Sequence, residues 1–174
     1  MSELHSDDQT AGHPNDRAVI RLRPKSKPQA IRHGFPWVFA DEAVLDRRTK
    51  ALPPGGLAVL EDAERQPLAL VTVNPVSKII ARVMDTDPGA VIDGAWLRAR
   101  LTRALQMRQR IYDEPFYRLV HAEADGLPGL VIDRFGDAAV IQPNAAWADG
   151  MAEDIADALI EVAGVSTVVL NGQG

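Results

Sequence analysis

YRLVHAEADGLPGLVIDRFGD, Tyr117–Asp137, is the stretch whose reading decides the fold. RLVHAE (Arg118–Glu123) and GLVID (Gly129–Asp133) are apolar runs of strand length, separated by the turn DGLPG. RFGD then reverses the chain into a third run, DAAVIQ (Asp137–Gln142). Links this short between strands predict an antiparallel meander.

Helical periodicity flanks the meander on both sides. Upstream, Leu97, Leu101, Ala104, Leu105 and Ile111 recur at three- and four-residue spacing, with Asp93 placed to cap the first turn and Asp113–Pro115 to stop it. Downstream, Met151, Ile155, Leu159 and Val162 share a face, Gly164 is a stop signal, and STVVLN (Ser166–Asn171) reads as a last strand. Helix, three strands, helix, strand is an α+β unit spanning 86–174. The chain ends on a Gly-containing turn (NGQG), which is expected to be a cut before a further domain.

The region 17–85 has a different rhythm. AVIRLR (Ala18–Arg23) alternates, with Ile20 and Leu22 on one side and Arg21 and Arg23 on the other. Lys27–Phe39 holds room for one short helical turn before Gly34 and Pro36, and Trp37 then opens an apolar run. LAVLED (Leu57–Asp62) and PLALVTVN (Pro67–Asn74) read as a hairpin, and KIIARVM (Lys78–Met84) as a further strand. Short strands at turn-separated spacing predict a small β-barrel or sandwich. DTDPGAVIDG (Asp85–Gly94) is the expected boundary. Residues 1–16 are polar and acidic and are expected to be a disordered tail; His5 and His13 within it are given no role.

The 174 residues contain no cysteine, which excludes disulfides, thiolate zinc sites and cysteine-nucleophile chemistry. No secretory signal and no apolar run of membrane-spanning length is present, so the expected compartment is cytoplasmic. No phosphate-loop or dinucleotide fingerprint occurs. His121, Glu123, Asp125 and Asp133 are the one acid–base candidate group. The competing reading makes Asp125 and Asp133 turn formers beside Gly126 and Gly136.

Net charge is −5, yet the bases are concentrated. Six of them and no acid lie between Arg17 and Ala40, and five arginines and no acid between Trp96 and Tyr112. A local basic face attracts phosphate whatever the total, because salt screens charge beyond about 8 Å. Arg21, Arg23, Lys25, Lys27 and Arg32, followed at once by His33 and Phe35, are the candidate RNA-binding residues: cations for phosphates and an exposed ring for stacking. Trp37 and Phe39 are expected in the core. The helix arginines lack acids near them in sequence, so an outside partner or solvent is expected to take part of their charge.

HGFPWVFADEAV (His33–Val44), RVMDTDPGAVID (Arg82–Asp93) and above all Tyr117–Asp137 resemble the N-terminal region of bacterial S-adenosylmethionine-dependent large-subunit rRNA cytosine-5 methyltransferases. The resemblance implies a PUA RNA-binding barrel, a central α+β domain and a C-terminal Rossmann-like methyltransferase domain. It matches the first two parts, and the Rossmann-like domain is expected to be absent. With it would go the cofactor loop and the cysteine that attacks the target base, so no cofactor is expected in this chain, while S-adenosylmethionine is expected for the full-length parent. The function implied is an RNA-binding and positioning fragment that is not catalytic by itself, with large-subunit ribosomal RNA and the missing catalytic domain as partners and no membrane. The alternative is a docking or dimerisation platform, a possible homodimer, suggested by the acidic C-terminal stretch and the aliphatic face of helix 150–163.

Overall fold

The computed structural model describes residues 17–172; the expectations for the 1–16 tail, His5 and His13 therefore lie outside the described residues. A five-stranded sheet comes first, with strands β1 (Ala18–Arg21), β2 (Trp37–Phe39), β3 (Leu57–Glu61), β4 (Pro67–Val73) and β5 (Ile79–Asp85) in the order β1-β3-β4-β5-β2. β3, β4 and β5 form an antiparallel meander, β2 adds antiparallel to β5, and β1 adds parallel to β3. The chain beyond β2 then returns to β1. Leu22 bridges Ala43, the Arg23 N–H donates to the Glu42 carbonyl, and the Val44 N–H donates to the Arg21 carbonyl. Those bonds link the two edges, so the sheet wraps around Ile20, Val38, Leu60, Val71 and Ile80, all fully buried. Helix α1 (Pro28–Arg32) seats Ile31 on this core, with a proline in its first turn where no N–H is needed. Helix α2 (Arg47–Lys50), which no periodicity in the sequence announces, is capped by the Asp46 carboxylate accepting from the Thr49 N–H at 2.8 Å.

The second sheet has the order β6-β7-β8-β9: Phe116–His121, Leu130–Phe135, Ala138–Pro143 and Thr167–Leu170. The first three are an antiparallel meander, and β9 joins β8 in parallel after a helical crossover. Helix α3 (Gly94–Gln109) starts where expected, the Asp93 carboxylate accepting from the Trp96 N–H at 2.9 Å. It ends earlier than expected, so Ile111 lies beyond it and is 67% exposed rather than on its apolar face. A short α4 (Ala146–Gly150) precedes α5 (Ala152–Ala163), which stops at Gly164 in the left-handed region. α3 and α5 lie against each other and bury Leu97, Leu101, Ile155 and Leu159 with the inner face of the sheet. β6 stops short of the expected run, because Ala122–Asp125 is a 3-10 turn.

The two sheets share a wall. Pro67–Val73 is buried on both faces after its first residue, which explains why PLALVTV is a continuous apolar run rather than an alternating one. Ala69, Val71 and Val73 face the first core, while Leu70 and Met84 join the second with Leu97, Leu101 and Trp147. No helix among the described residues is long and apolar enough to cross a membrane.

Gly129, at the start of β7, has φ +69°, and a Cβ there would meet the Ala145 Cβ at 2.6 Å. Gly129→Ala is therefore expected to lower the urea unfolding midpoint by the equivalent of about 1–3 kcal/mol; an unchanged midpoint contradicts the tight approach of β7 to the segment before α4.

Candidate nucleic-acid interface

The structure divides the residues singled out from sequence. Arg21 points outward from β1 and pairs with Glu61, its register partner on β3, at 3.4 Å. Arg32, at the end of α1, pairs with Asp62 at 3.2 Å. Asp62 is itself nearly buried, because it also accepts the Glu64 and Gln66 N–H groups of the β3–β4 turn. Arg23 donates from Nε to the Ala43 carbonyl at 2.9 Å. Two of the five cations are thus met by carboxylates, which corrects the single basic face expected from Arg21 to Arg32. The acids are the last residue of β3 and the one after it, thirty to forty residues away in sequence. Lys25 and Lys27 are exposed and take part in no ion pair among the described residues.

His33, Gly34 and Phe35 form the turn from α1 into β2. Gly34 has φ +95°, a conformation other residues rarely adopt, and the Phe35 N–H donates back to the Ala30 carbonyl. Phe35 is 42% exposed. Trp37 and Phe39 follow it at spacing two on one face of an edge strand, while Val38 points inward and is fully buried. The rings meet edge to face, 6.1 Å from Phe35 to Trp37 and 6.4 Å from Trp37 to Phe39. Phe39 is 37% exposed and Trp37 half-buried, which corrects the placing of both in the core. The signal is present in FPWVF: in a strand, residues 35, 37 and 39 share a face that Val38 does not.

Trp37 is held by its polar edge. Its Nε1–H donates to Glu123 at 2.9 Å, and the same carboxylate takes Arg82, the register partner of Trp37, at 2.5 Å. A second group of the same type joins the sheets from the other side. Asp85, at the end of β5, accepts from Trp96 at 2.9 Å and from Arg100 at 2.7 Å, both on α3. The Arg100 guanidinium lies over the Trp96 ring at 4.9 Å, and Trp96 meets Trp147 edge to face.

The α3 arginines are less free than sequence suggests. Arg98, Arg100 and Arg108 pair with Glu161, Asp85 and Asp125. Arg103 and Arg110 are exposed, with no ion pair among the described residues. The group His121, Glu123, Asp125 and Asp133 does not converge. Asp125 accepts the His121 backbone N–H and Arg108, closing the 3-10 turn. Asp133 lies within β7, not in a turn, and takes a two-point contact from Arg118 across the strands, at 2.9 and 3.2 Å. No cluster of metal-ligating side chains occurs among the described residues.

Comparison with known proteins adds to this geometry. Residues 20–86 match the family described as PUA-like domain. A Deinococcus radiodurans protein named ribosomal RNA large subunit methyltransferase is 36% identical over 137 residues, covering 74% of this chain and 33% of that protein. A Cronobacter sakazakii protein named ribosomal RNA large subunit methyltransferase I is 36% identical over 135 residues, covering 76% of this chain and 34% of that protein. The chain is thus related in sequence to proteins of that name and spans about a third of their length. Among solved structures, a Streptococcus mutans protein described as a provisional SAM-dependent methyltransferase matches with a TM-score of 0.72 at 12% identity, over 90% of this chain and 44% of its own. A second, described as a provisional methyltransferase complexed with SAH, matches with a TM-score of 0.69 at 13% identity, over 90% and 43%. At these identities the likeness is one of fold.

Burial raises the pKa of both junction carboxyls, yet the hydrogen bonds outweigh it. For Asp85 these come from the Asp87 N–H, Trp96 and Arg100, and for Glu123 chiefly from Trp37 and Arg82. Both therefore ionise below their ordinary values of 3.8 and 4.5. A carboxyl depressed in the folded state contributes stability that is complete above its unfolded pKa and is lost as the pH falls through the folded value. The urea midpoint is expected to hold down to about pH 5 and then to fall. Glu123→Gln is expected to have a lower plateau and a shallower acid fall; equal slopes in variant and parent argue against Glu123 as an ionised junction group.

Proposed function

We propose that this chain is the RNA-binding and positioning part of an S-adenosylmethionine-dependent large-subunit rRNA methyltransferase, with cytosine C5 as the position modified. The observation that carries the reading is the aromatic row Phe35–Trp37–Phe39 along strand β2 of a PUA-like unit, with Lys25, Lys27 and His33 in the adjoining segment. Unpaired bases stack on such rings whatever their identity, and the lysines supply charge for the phosphates between them. Of the residues proposed from sequence, Lys25, Lys27, His33 and Phe35 belong to this surface, with Arg23 beside them; Arg21 and Arg32, each met by a carboxylate, are not part of it.

The division into an RNA-binding unit over 17–85 and a spacer unit over 86–174 belongs to this proposal. The spacer holds the row at a fixed offset from the catalytic part, which turns weak contacts into placement of a base. S-adenosylmethionine is assigned to the length of the relatives that this chain does not span. β5 leads into the long helix α3 through a loop that holds Gly89, but the Asp93 carboxylate already takes the Trp96 N–H at that helix start, so the residues there do not fit that cofactor. No catalytic residue is proposed in this chain.

A docking reading has one observation in its favour, and it is not the one expected. The apolar face of α5 is spent on its own core through Ile155, Ala158 and Leu159. Phe116 and Phe135, register partners on β6 and β7, are instead 63% and 54% exposed. Sedimentation separates the readings: a tight dimer without RNA affinity favours docking.

Phe35→Ala is expected to weaken binding of a single-stranded RNA by about 1–2 kcal/mol, roughly five- to thirtyfold, with the salt dependence unchanged. The double charge reversal of Lys25 and Lys27 to Glu should reduce the slope of log K against log salt by about 0.7 for each phosphate that is no longer neutralised. Fluorescence anisotropy titrations at several KCl concentrations read both, and affinities equal to the parent's in both variants overturn the proposed surface.

A further inference from the structure

A cleft of about 350 Å³ opens between β1 and the segment leading into α2. Arg17, Arg21 and Arg48 line it with Val19, Val44 and Leu52. None of the residues proposed above to hold RNA contributes to its wall. We infer that this cleft is a second RNA contact, taking one backbone phosphate on its guanidinium groups and the attached nucleoside against its apolar wall. The inference rests on the RNA-binding reading just given and adds a separate site to it.

Three features support it. The first is charge left over. Arg48 is exposed and takes part in no ion pair among the described residues. Arg17 donates from Nη1 and Nη2 to the Pro88 and Ala90 carbonyls at 2.9 and 2.7 Å, so its orientation is fixed, and it takes part in no ion pair among the described residues. Asp46 lines the same cleft, and Glu61 pairs with Arg21. Among the described residues, three cations against two carboxylates leave one positive charge, which matches a single phosphodiester.

The second feature is a half-used donor. Arg21 reaches Glu61 at only 3.4 Å, and its Nε is buried with no acceptor among the described residues. An unmet buried N–H is costly, and a small rotation would present Nε and Nη2 side by side, the fork that phosphate oxygens accept. The third feature is the wall. Val19 and Val44 are 43% and 39% exposed on neighbouring segments, apolar surface against which a ribose or base loses water. A site for a bare ion needs no such wall.

The test uses the full chain, a labelled single-stranded oligouridine and the Arg48→Glu variant. The Arg48 side chain bonds nothing among the described residues, and an unfolding midpoint equal to the parent's confirms that the variant is folded. Arg48→Glu is expected to bind the oligonucleotide roughly tenfold more weakly at low salt, with the salt slope reduced by about 0.7. Its effect should add to that of Phe35→Ala. In parallel, adenosine 5′-monophosphate is titrated into the parent with NMR detection and should shift the Val19 and Val44 methyl signals, but not in Arg48→Glu. Oligouridine affinity unchanged by Arg48→Glu but reduced by Phe35→Ala overturns the cleft and leaves the aromatic surface standing. Weakened binding in Arg48→Glu with none in Phe35→Ala supports the cleft and removes the row. Displacement of the mononucleotide by an acidic peptide of equal charge, at equal concentration, overturns the assignment to RNA.

Discussion

Two carboxylates fix how the sheets sit on each other, and the rest of the arrangement depends on them. Glu123, from the turn after β6, reaches into the first sheet to take Trp37 and Arg82. Asp85, from the end of β5, reaches the other way to take Trp96 and Arg100. Each accepts one indole N–H and one guanidinium, and each is largely removed from water. Such pairs are weak evidence of net stabilisation, because desolvation offsets much of the attraction. Their strength lies in direction. An indole N–H and a planar guanidinium meet a carboxylate over narrow angles, so a slide between the sheets breaks four bonds and strands buried charge. Apolar contact through Leu70 and Met84 supplies adhesion across the same wall but no such angular limit.

That constraint reaches the proposed RNA surface directly. Trp37 is at once the middle ring of the aromatic row and a member of the Glu123 group. Its polar edge is committed inward, so Phe35 and Phe39 remain the open faces. A base stacked on either lies at an orientation set by the second sheet as well as by β2. The turn carrying Glu123 is itself held by Asp125, which accepts Arg108 and the His121 N–H. Glu123 and Asp125, two of the acidic residues that resemble acid–base chemistry in the sequence, are therefore supports running from α3 to the aromatic row.

Local patterns are readable because their causes are local. Alternation in AVIRLR, the apolar runs of the β3–β4 hairpin, the Asp93 cap and the Gly164 stop all depend on residues within a few positions of one another, and each marks an element of the structure. What the sequence hides depends on distance along the chain. Arg98 and Glu161 are separated by 63 residues, and Arg32 and Asp62 by 30. No window along the sequence brings those partners together, so runs of arginine look unmatched. Phe39 misleads for another reason: hydrophobicity suggests the core, whereas the parity it shares with Phe35, opposite to Val38, decides its side of the strand.

The corrected charge changes what the surface does. A carboxylate partner cancels a cation's field, whereas a carbonyl partner only orients it. Of the six bases between Arg17 and Ala40, Arg32 is cancelled, Arg21 only partly, Arg17 and Arg23 are oriented by carbonyls, and Lys25 and Lys27 stand without a carboxylate partner among the described residues. The uncancelled charge is thus spread along the segment rather than gathered on one face. With a net charge of −5 on the whole chain, it gives little long-range attraction for an anionic polymer. On the proposed RNA-binding reading, contact has to be made before it is rewarded, by stacking on the open rings and by phosphates that come within a few ångströms of an oriented guanidinium. A surface of that kind favours unpaired, flexible RNA, whose bases and backbone can reach separate sites, over a rigid duplex that presents phosphates alone.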